Sequence, residues 1–377
     1  MMTLNKKYAI GFYSQYMSYL WEITSGETFP DIVEIPNEAW NEYINSLWIG
    51  HNQSVPEKKI NTNLIPLSNK TQKEKVNNKV VIGFSGGKDS LVVALRMQEE
   101  GFIPIMFHVK GLTRSTGYTE SLASREIALK NNWEYIEEKI SYNGKTNYLE
   151  SPVRNHLVLS YMIDYMINNN ITNAGIGLEI EDKVFNTSFE ERKDNGFSDG
   201  VDFTQLFIKA IKNTFQDFTL YGAIGSKVSG TIWLFDKYKD IAMESNSCML
   251  ADRVKEYTRN KKMVKFGIHK LPKYNCLCCK KCCQDYLILY KANMLGDMVA
   301  DDMENATKSC YKTIRNKLKS LMGKNKKELK NVKDDDLINY IIKDYKKYID
   351  SYKINKKSVE NDLKLFIIET NKIVYLN

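Results

Sequence analysis

The six residues Ser85-Gly86-Gly87-Lys88-Asp89-Ser90 constrain the fold of this chain more than any other stretch. They stand between KVVIGF (79–84), a β-branched run that reads as a buried strand, and LVVALRMQEEG (91–101), whose apolar residues recur at helical spacing before a terminating Gly. A strand that ends in Gly-Gly turns tightly and lets its backbone approach a ligand. The helix that follows presents N–H groups and the positive end of its dipole. Together they make a cradle for a pyrophosphate group. Lys88 adds a point charge, Ser85 and Ser90 add hydroxyl donors, and Asp89 is suited to orient the loop or hold a magnesium ion. The spacing is neither Gly-x-x-x-x-Gly-Lys-Ser/Thr nor Gly-x-Gly-x-x-Gly, which sets aside two common phosphate loops.

The surrounding pattern repeats strand and helix. FIPIMFHV (102–109), EYIEEKI and ITNAGIGL (171–178) read as further strands; SLASREIALKNNW (121–133), LVLSYMIDYMINNN (157–170) and VDFTQLFIKAIKNTF (201–215) read as helices. Such alternation gives βαβ units and an α/β fold with a parallel sheet. His108 ends the second strand, beside the crevice where a nucleotide is expected.

The two ends differ from this middle. In residues 1–78, YAIGFYSQY and DIVEIP read as strands and NEAWNEYINSLW as a short helix, with residues 51–78 a polar linker. Near the other end, DDDLINYIIKDYKKYIDSY and KSVENDLKLFIIETNK place apolar residues at three- and four-residue spacing, which reads as a helical extension. The expected division is 1–78 as an extension and linker, 79–295 as the nucleotide-binding domain, and 296–377 as the C-terminal extension.

Net charge is +8, carried mostly by Lys, and is compatible with phosphate ligands; a nucleic-acid partner is not expected from it. No apolar run reaches the roughly 18 residues of a membrane span, and the N-terminus lacks an apolar core like that of a signal peptide, so a cytoplasmic location is expected.

Seven cysteines are present, and five of them fall between Cys276 and Cys283. Cys276, Cys279 and Cys282 follow C-x-x-C-x-x-C, and Cys248 supplies a fourth thiol upstream. Four thiolates suit tetrahedral Zn²⁺ in a closed structural site. Registers through Cys278 or Cys283 and an iron–sulfur cluster remain open; Cys310 reads as an ordinary buried thiol.

SGGKDS after a β-branched strand resembles the PP-loop of the ATP pyrophosphatases, a superfamily that includes asparagine synthetase, tRNA thiolation enzymes, sulfonucleotide reductases and deazaguanine synthases. With the downstream cysteines, the chain resembles the 7-cyano-7-deazaguanine synthase family. Pro152-Val153-Arg154-Asn155 matches that family's Pro-x-Arg-Asn element at the start of an apolar helix. Gly177-Leu178-Glu179-Ile180-Glu181-Asp182 keeps the Gly and Asp of Gly-x-Asn-x-x-Asp but has Glu179 in place of Asn. Ser198-Asp199 and Phe203 match its acidic turn and Phe-bearing helix loosely. The resemblance runs over roughly residues 79–295. It departs in a longer segment between Asp182 and Asp199, a longer gap between Cys248 and Cys276, and both terminal extensions, which resemble those of deazaguanine-synthase-like components of anti-phage systems (the Qat and type IV CBASS kinds).

The resemblance implies a Rossmann-like fold of the adenine nucleotide α-hydrolase (HUP) kind. It implies an enzyme that adenylates the carboxylate of 7-carboxy-7-deazaguanine with ATP and Mg²⁺, then forms an amide or nitrile with ammonia or the amine of an acceptor protein. Ser85 through Ser90 and His108 would bind ATP, with Lys88, Asp89 and Arg154 serving the chemistry. Arg154, Asn155, Gly177, Glu179, Asp182, Asp199 and Phe203 would contact the deazapurine, Phe203 by stacking, with Asp182 and Asp199 reading its donor edge or holding Mg²⁺. Cys248, Cys276, Cys279 and Cys282 would hold structural Zn²⁺, and a homodimer is compatible with this reading. Sulfur transfer to tRNA, sulfonucleotide reduction and a non-catalytic scaffold stay open as alternatives.

Overall fold

A computed structural model describes parts of residues 13–20, residues 32–51, 61–64, 76–112, 117–140, 154–177, 201–223, 227–248 and 363–376, and isolated residues between 273 and 289. The centre is a seven-stranded sheet of order β5-β4-β3-β6-β7-β8-β9. Its strands are β3 (Val76–Gly83), β4 (Ile103–Lys110), β5 (Glu134–Lys139), β6 (Ile171–Ile176), β7 (Thr219–Ala223), β8 (Leu365–Ile368) and β9 (Ile373–Tyr375). The first five are parallel, while β8 and β9 add an antiparallel edge. The helices are α2 (Lys88–Glu99), α3 (Gly117–Lys130), α4 (Arg154–Asn169), α5 (Val201–Lys212), α6 (Lys227–Lys237) and the short α7 (Lys239–Ala242). Upstream, β1 (Ile32–Ile35) and β2 (Asn61–Leu64) form a separate parallel pair, with α1 (Ala39–His51) between them.

The β-branched and apolar runs became the central strands because both faces of a parallel sheet are covered. Every residue of β6 is buried, as are all but the two end residues of β4. One face packs Val80, Ile82 and Met106 against Leu91, Val92 and Leu95 of α2 and against Ile127 and Trp233. The other packs Val81, Ile105 and Phe107 against Leu157, Met162 and Met166 of α4 and Phe207 and Ile211 of α5. After α3, Asn132 takes a left-handed φ of 55°, and after α4 Asn170 takes 56°. Asn tolerates this conformation, so both helices end where the chain must turn back into a strand.

Three expectations are corrected. YAIGFYSQY read as a strand, but the described residues between 13 and 20 are helical. The Asp164 carboxylate of α4 accepts the main-chain N–H groups of Tyr13 at 3.1 Å and Ser14 at 2.8 Å. The polar linker contains β2, and β3 begins at Val76. The C-terminal extension read as wholly helical, yet LFII and IVY form a hairpin on the sheet edge, with Tyr221 opposite Ile367. A short apolar run fits either periodicity, and the open edge of β7 decided between them. Residues 296–362 lie outside the described residues.

The N-terminal residues share the core of the central unit. Tyr16, Met17, Leu20, Trp40 and Tyr43 are fully buried in the same apolar cluster as Phe207 and Leu157. Trp40 stands edge-on to Tyr16, Tyr43 and Phe207, with centroids 4.8 to 6.0 Å apart. Such ring pairs each stabilise by about 0.5–1.5 kcal/mol beyond their burial. Among the described residues, no helix is long and apolar enough to cross a membrane.

Candidate active site

The strand order places a crevice at the loop that constrained the sequence. From β3 the chain moves outward to β4 and β5, then returns to lay β6 on the other flank of β3. The ends of β3 and β6 are therefore a topological switch point, where the connections leave in opposite directions and a ligand can enter. Residues 85–87 follow β3, and Gly177 follows β6.

The loop is built as a tight backbone turn. Phe84 donates its N–H to the Phe107 carbonyl at 2.8 Å, extending the β3–β4 ladder by one residue. Ser85 is exposed. Gly86 adopts φ +79°, and a Cβ there would stand 2.8 Å from the Ala123 Cβ and 3.0 Å from the Ser124 nitrogen. Conformation and space both require glycine. Gly87 is the N-cap of α2 in an extended conformation and offers no side-chain acceptor, which leaves the helix start suited to an anion. Ser90 donates its hydroxyl back to the Gly87 carbonyl at 3.2 Å. A Cβ on Gly177 would stand 2.8 Å from the Ser90 nitrogen, so the end of β6 abuts the first turn of α2.

Lys88 is 3% exposed. Its Nζ lies 2.6 Å from Asp89 Oδ1 and 3.6 Å from Asp285 Oδ1. A buried ammonium needs such partners to replace its lost hydration. His108 sits on β4 with its Nδ1 3.2 Å from the Phe84 carbonyl oxygen, the residue just before the loop. Its Nε2 is buried, with no hydrogen-bond partner among the described residues. Burial lowers the imidazole pKa, opposed chiefly by the nearby Glu120 carboxylate and by the Phe84 contact. The neutral ring then donates from Nδ1 and presents Nε2 as an acceptor.

A second segment closes over the loop from far along the chain. Asn246 donates its main-chain N–H to the Gly86 carbonyl at 2.6 Å. Its side-chain Oδ1 accepts the Cys248 N–H at 3.1 Å, and its Nδ2 is buried with no hydrogen-bond partner among the described residues. Cys248 and Cys282 are 4% and 2% exposed and lie in one apolar cluster with Leu91 and Ile288.

The expected site residues divide accordingly. Ser85 through Ser90, His108 and Gly177 gather around the switch point. Arg154 opens α4 and Asn155 follows it, half-buried. Phe203, expected to stack on a base, is 2% exposed and packs instead between Tyr43 and His156, with centroids 4.8 and 5.1 Å away. Its ring serves the core, because α1 and α5 meet there. Glu179, Asp182, Asp199, Cys276 and Cys279 lie outside the described residues. Among the described residues no group of three or more metal-binding side chains forms, so two of the four expected zinc thiols are placed and the complete set is not. Asp285 and Asn246 are the additions. Asp285 comes three residues after Cys282, but nothing local marks either residue as a neighbour of the loop.

No family model and no curated protein matches this chain. A solved structure similar to it is that of the U34-tRNA thiolase NcsA from Methanococcus maripaludis with its 4Fe-4S cluster. The two share 15% identity over 67% of this chain and 75% of that one, with a TM-score of 0.23.

Proposed function

We propose that this chain is an ATP pyrophosphatase of the PP-loop kind, cleaving ATP between its α- and β-phosphates to adenylate a carboxylate. The observation that carries this reading is the loop itself: a left-handed Gly86, an uncapped helix start and the buried Lys88 ammonium converge at a switch point of a parallel sheet. A carboxylate oxygen of the substrate attacks the α-phosphorus, the bond to the bridging oxygen breaks, and pyrophosphate leaves. An amine then attacks the acyl carbon and AMP departs. The chain's contribution is positioning and charge stabilisation. Lys88 and the first N–H groups of α2 meet the pyrophosphate, and Asp89 holds the Mg²⁺ that accompanies ATP. His108 Nε2 accepts from the nucleotide.

The substrate on this reading is 7-carboxy-7-deazaguanine, and the acceptor is ammonia or a protein amine. Arg154 and Asn155, at the start of the helix beside the loop strand, bind the carboxylate, and Glu179, Asp182 and Asp199 read the base. Cys248, Cys276, Cys279 and Cys282 hold Zn²⁺. The order of motifs supports this assignment, and the burial of Cys248 and Cys282 together suits a closed thiolate site.

A second reading, sulfur transfer after adenylation, is favoured by one observation. The cysteine-bearing segment touches the loop directly, through Asn246 to Gly86 and Asp285 to Lys88. Mass spectrometry of a reaction holding ATP, Mg²⁺, 7-carboxy-7-deazaguanine and ammonium separates the two. AMP with an amide or nitrile supports the ligase. Adenylate without further product directs the search to a protein amine. No AMP with this acid overturns the deazaguanine assignment, and AMP formed only with tRNA and a sulfur donor supports sulfur transfer.

A further inference from the structure

We infer that Asp285, on the cysteine-bearing segment, is a positioning residue for Lys88 and through it for the phosphate loop. The inference rests on the reading of that loop as the ATP site. A lysine paired with one neighbour follows that neighbour's rotamer. Lys88 instead has two carboxylates within reach from separate elements, Asp89 on its own helix at 2.6 Å and Asp285 at 3.6 Å. Asp285 is itself only 13% exposed at its side chain, so the pair is shielded from the screening that weakens surface ion pairs.

The segment meets the loop a second time through the Asn246 N–H on the Gly86 carbonyl. That contact fixes the peptide between the two glycines, while Asp285 meets the ammonium of the very next residue. Cys248 is two residues from the first contact and Cys282 three from the second, and both thiols share one apolar cluster. The cysteine-bearing segment is therefore a wall of the nucleotide site, and whatever orders it also orders the loop. A loop whose charge and backbone are set before the nucleotide arrives loses less freedom on binding.

Two electrostatic roles for Asp285 predict opposite signs. If it were only a negative charge near the phosphates, removing it would tighten binding of an anion. If it positions Lys88, removing it weakens binding, and only while Lys88 is present. The test is calorimetric titration of Mg-ATP into the full chain for wild type, Asp285→Asn, Asp285→Glu, Lys88→Met and the Lys88→Met/Asp285→Asn double variant. Asp285→Asn is expected to weaken affinity about tenfold, the scale of one misdirected charge-assisted contact. Asp285→Glu should recover most of that loss, and in the Lys88→Met background Asp285→Asn should change nothing further. Unchanged or tighter binding by Asp285→Asn, or additive losses in the double variant, overturns the inference and leaves the ATP site standing. Failure of the wild type to bind Mg-ATP overturns the ATP reading itself.

Discussion

Two buried histidines on opposite faces of one sheet show how differently this molecule treats its interior. His156 of α4 is fully buried, with Nδ1 2.8 Å from the Tyr43 hydroxyl and Nε2 3.2 Å from the Thr204 hydroxyl. Its ring lies flat on Phe207, centroids 4.6 Å apart and 12° between planes. His108 of β4 is almost as buried, but among the described residues only Nδ1 is engaged and Nε2 has no hydrogen-bond partner. At His156 both ring nitrogens are engaged, as packing demands. Beside the loop, among the described residues, a buried ring acceptor is left unmatched, which suits a ligand group.

The loop itself should show the largest effect. Gly86→Ala needs a left-handed residue with its Cβ 2.8 Å from the Ala123 Cβ, and the loop must shift to accept it. Mg-ATP affinity should fall about 100-fold, since a displacement of about 1 Å is enough to cost that much. Circular dichroism should remain that of the wild type. Retained affinity would remove the loop from the site.

His156→Phe should act on stability instead. It leaves the Tyr43 and Thr204 hydroxyls without the imidazole, at a cost of about 2–3 kcal/mol in a denaturant titration. Mg-ATP affinity of the folded protein should not change. If it falls as far as in the loop variant, the two regions are not separable and the contrast between the histidines fails.

The same residue predicts a pH dependence. Burial holds the His156 imidazole at about 3, against 6.5 for the free group, so the unfolded chain takes up the proton first. Stability on this account is intact above about pH 6.5, declines as pH falls from there to about 3, and declines no further below. The slope from this one group approaches about 1.4 kcal/mol per pH unit. His156→Phe should flatten the curve by that amount in urea midpoints measured across the range.

His108→Phe should have the smallest effect. It removes one hydrogen bond to the Phe84 carbonyl and the Nε2 acceptor, so Mg-ATP affinity should fall about threefold to tenfold with stability changed by about 1 kcal/mol. His108→Gln, which keeps an acceptor, should lose less. Equal affinity in all three proteins would show that Nε2 meets no ligand group.

The strand-loop-helix at residues 79–99 was readable in the sequence because it is made by neighbours. β-branched residues, two glycines and a helical repeat specify a buried strand, a tight turn and a helix start without a side-chain cap, with no help from the rest of the chain. The alternation that gave a parallel sheet is equally local, and β4, β5, α4, β6 and α5 follow it. The tertiary structure alone decided what surrounds that loop. Asn246 and Asp285 reach it only because separate stretches fold onto one end of the central strands, and no spacing in the sequence records that approach. The sequence leaves Phe203 open to either role, because aromatic residues serve cores and bases alike; contact with Tyr43 and His156 places its ring in the core. LFII became a strand rather than a helix because an unpaired edge at β7 offered it hydrogen bonds. Local chemistry fixes what a segment can do, and only the neighbours brought by folding select which of those things it does.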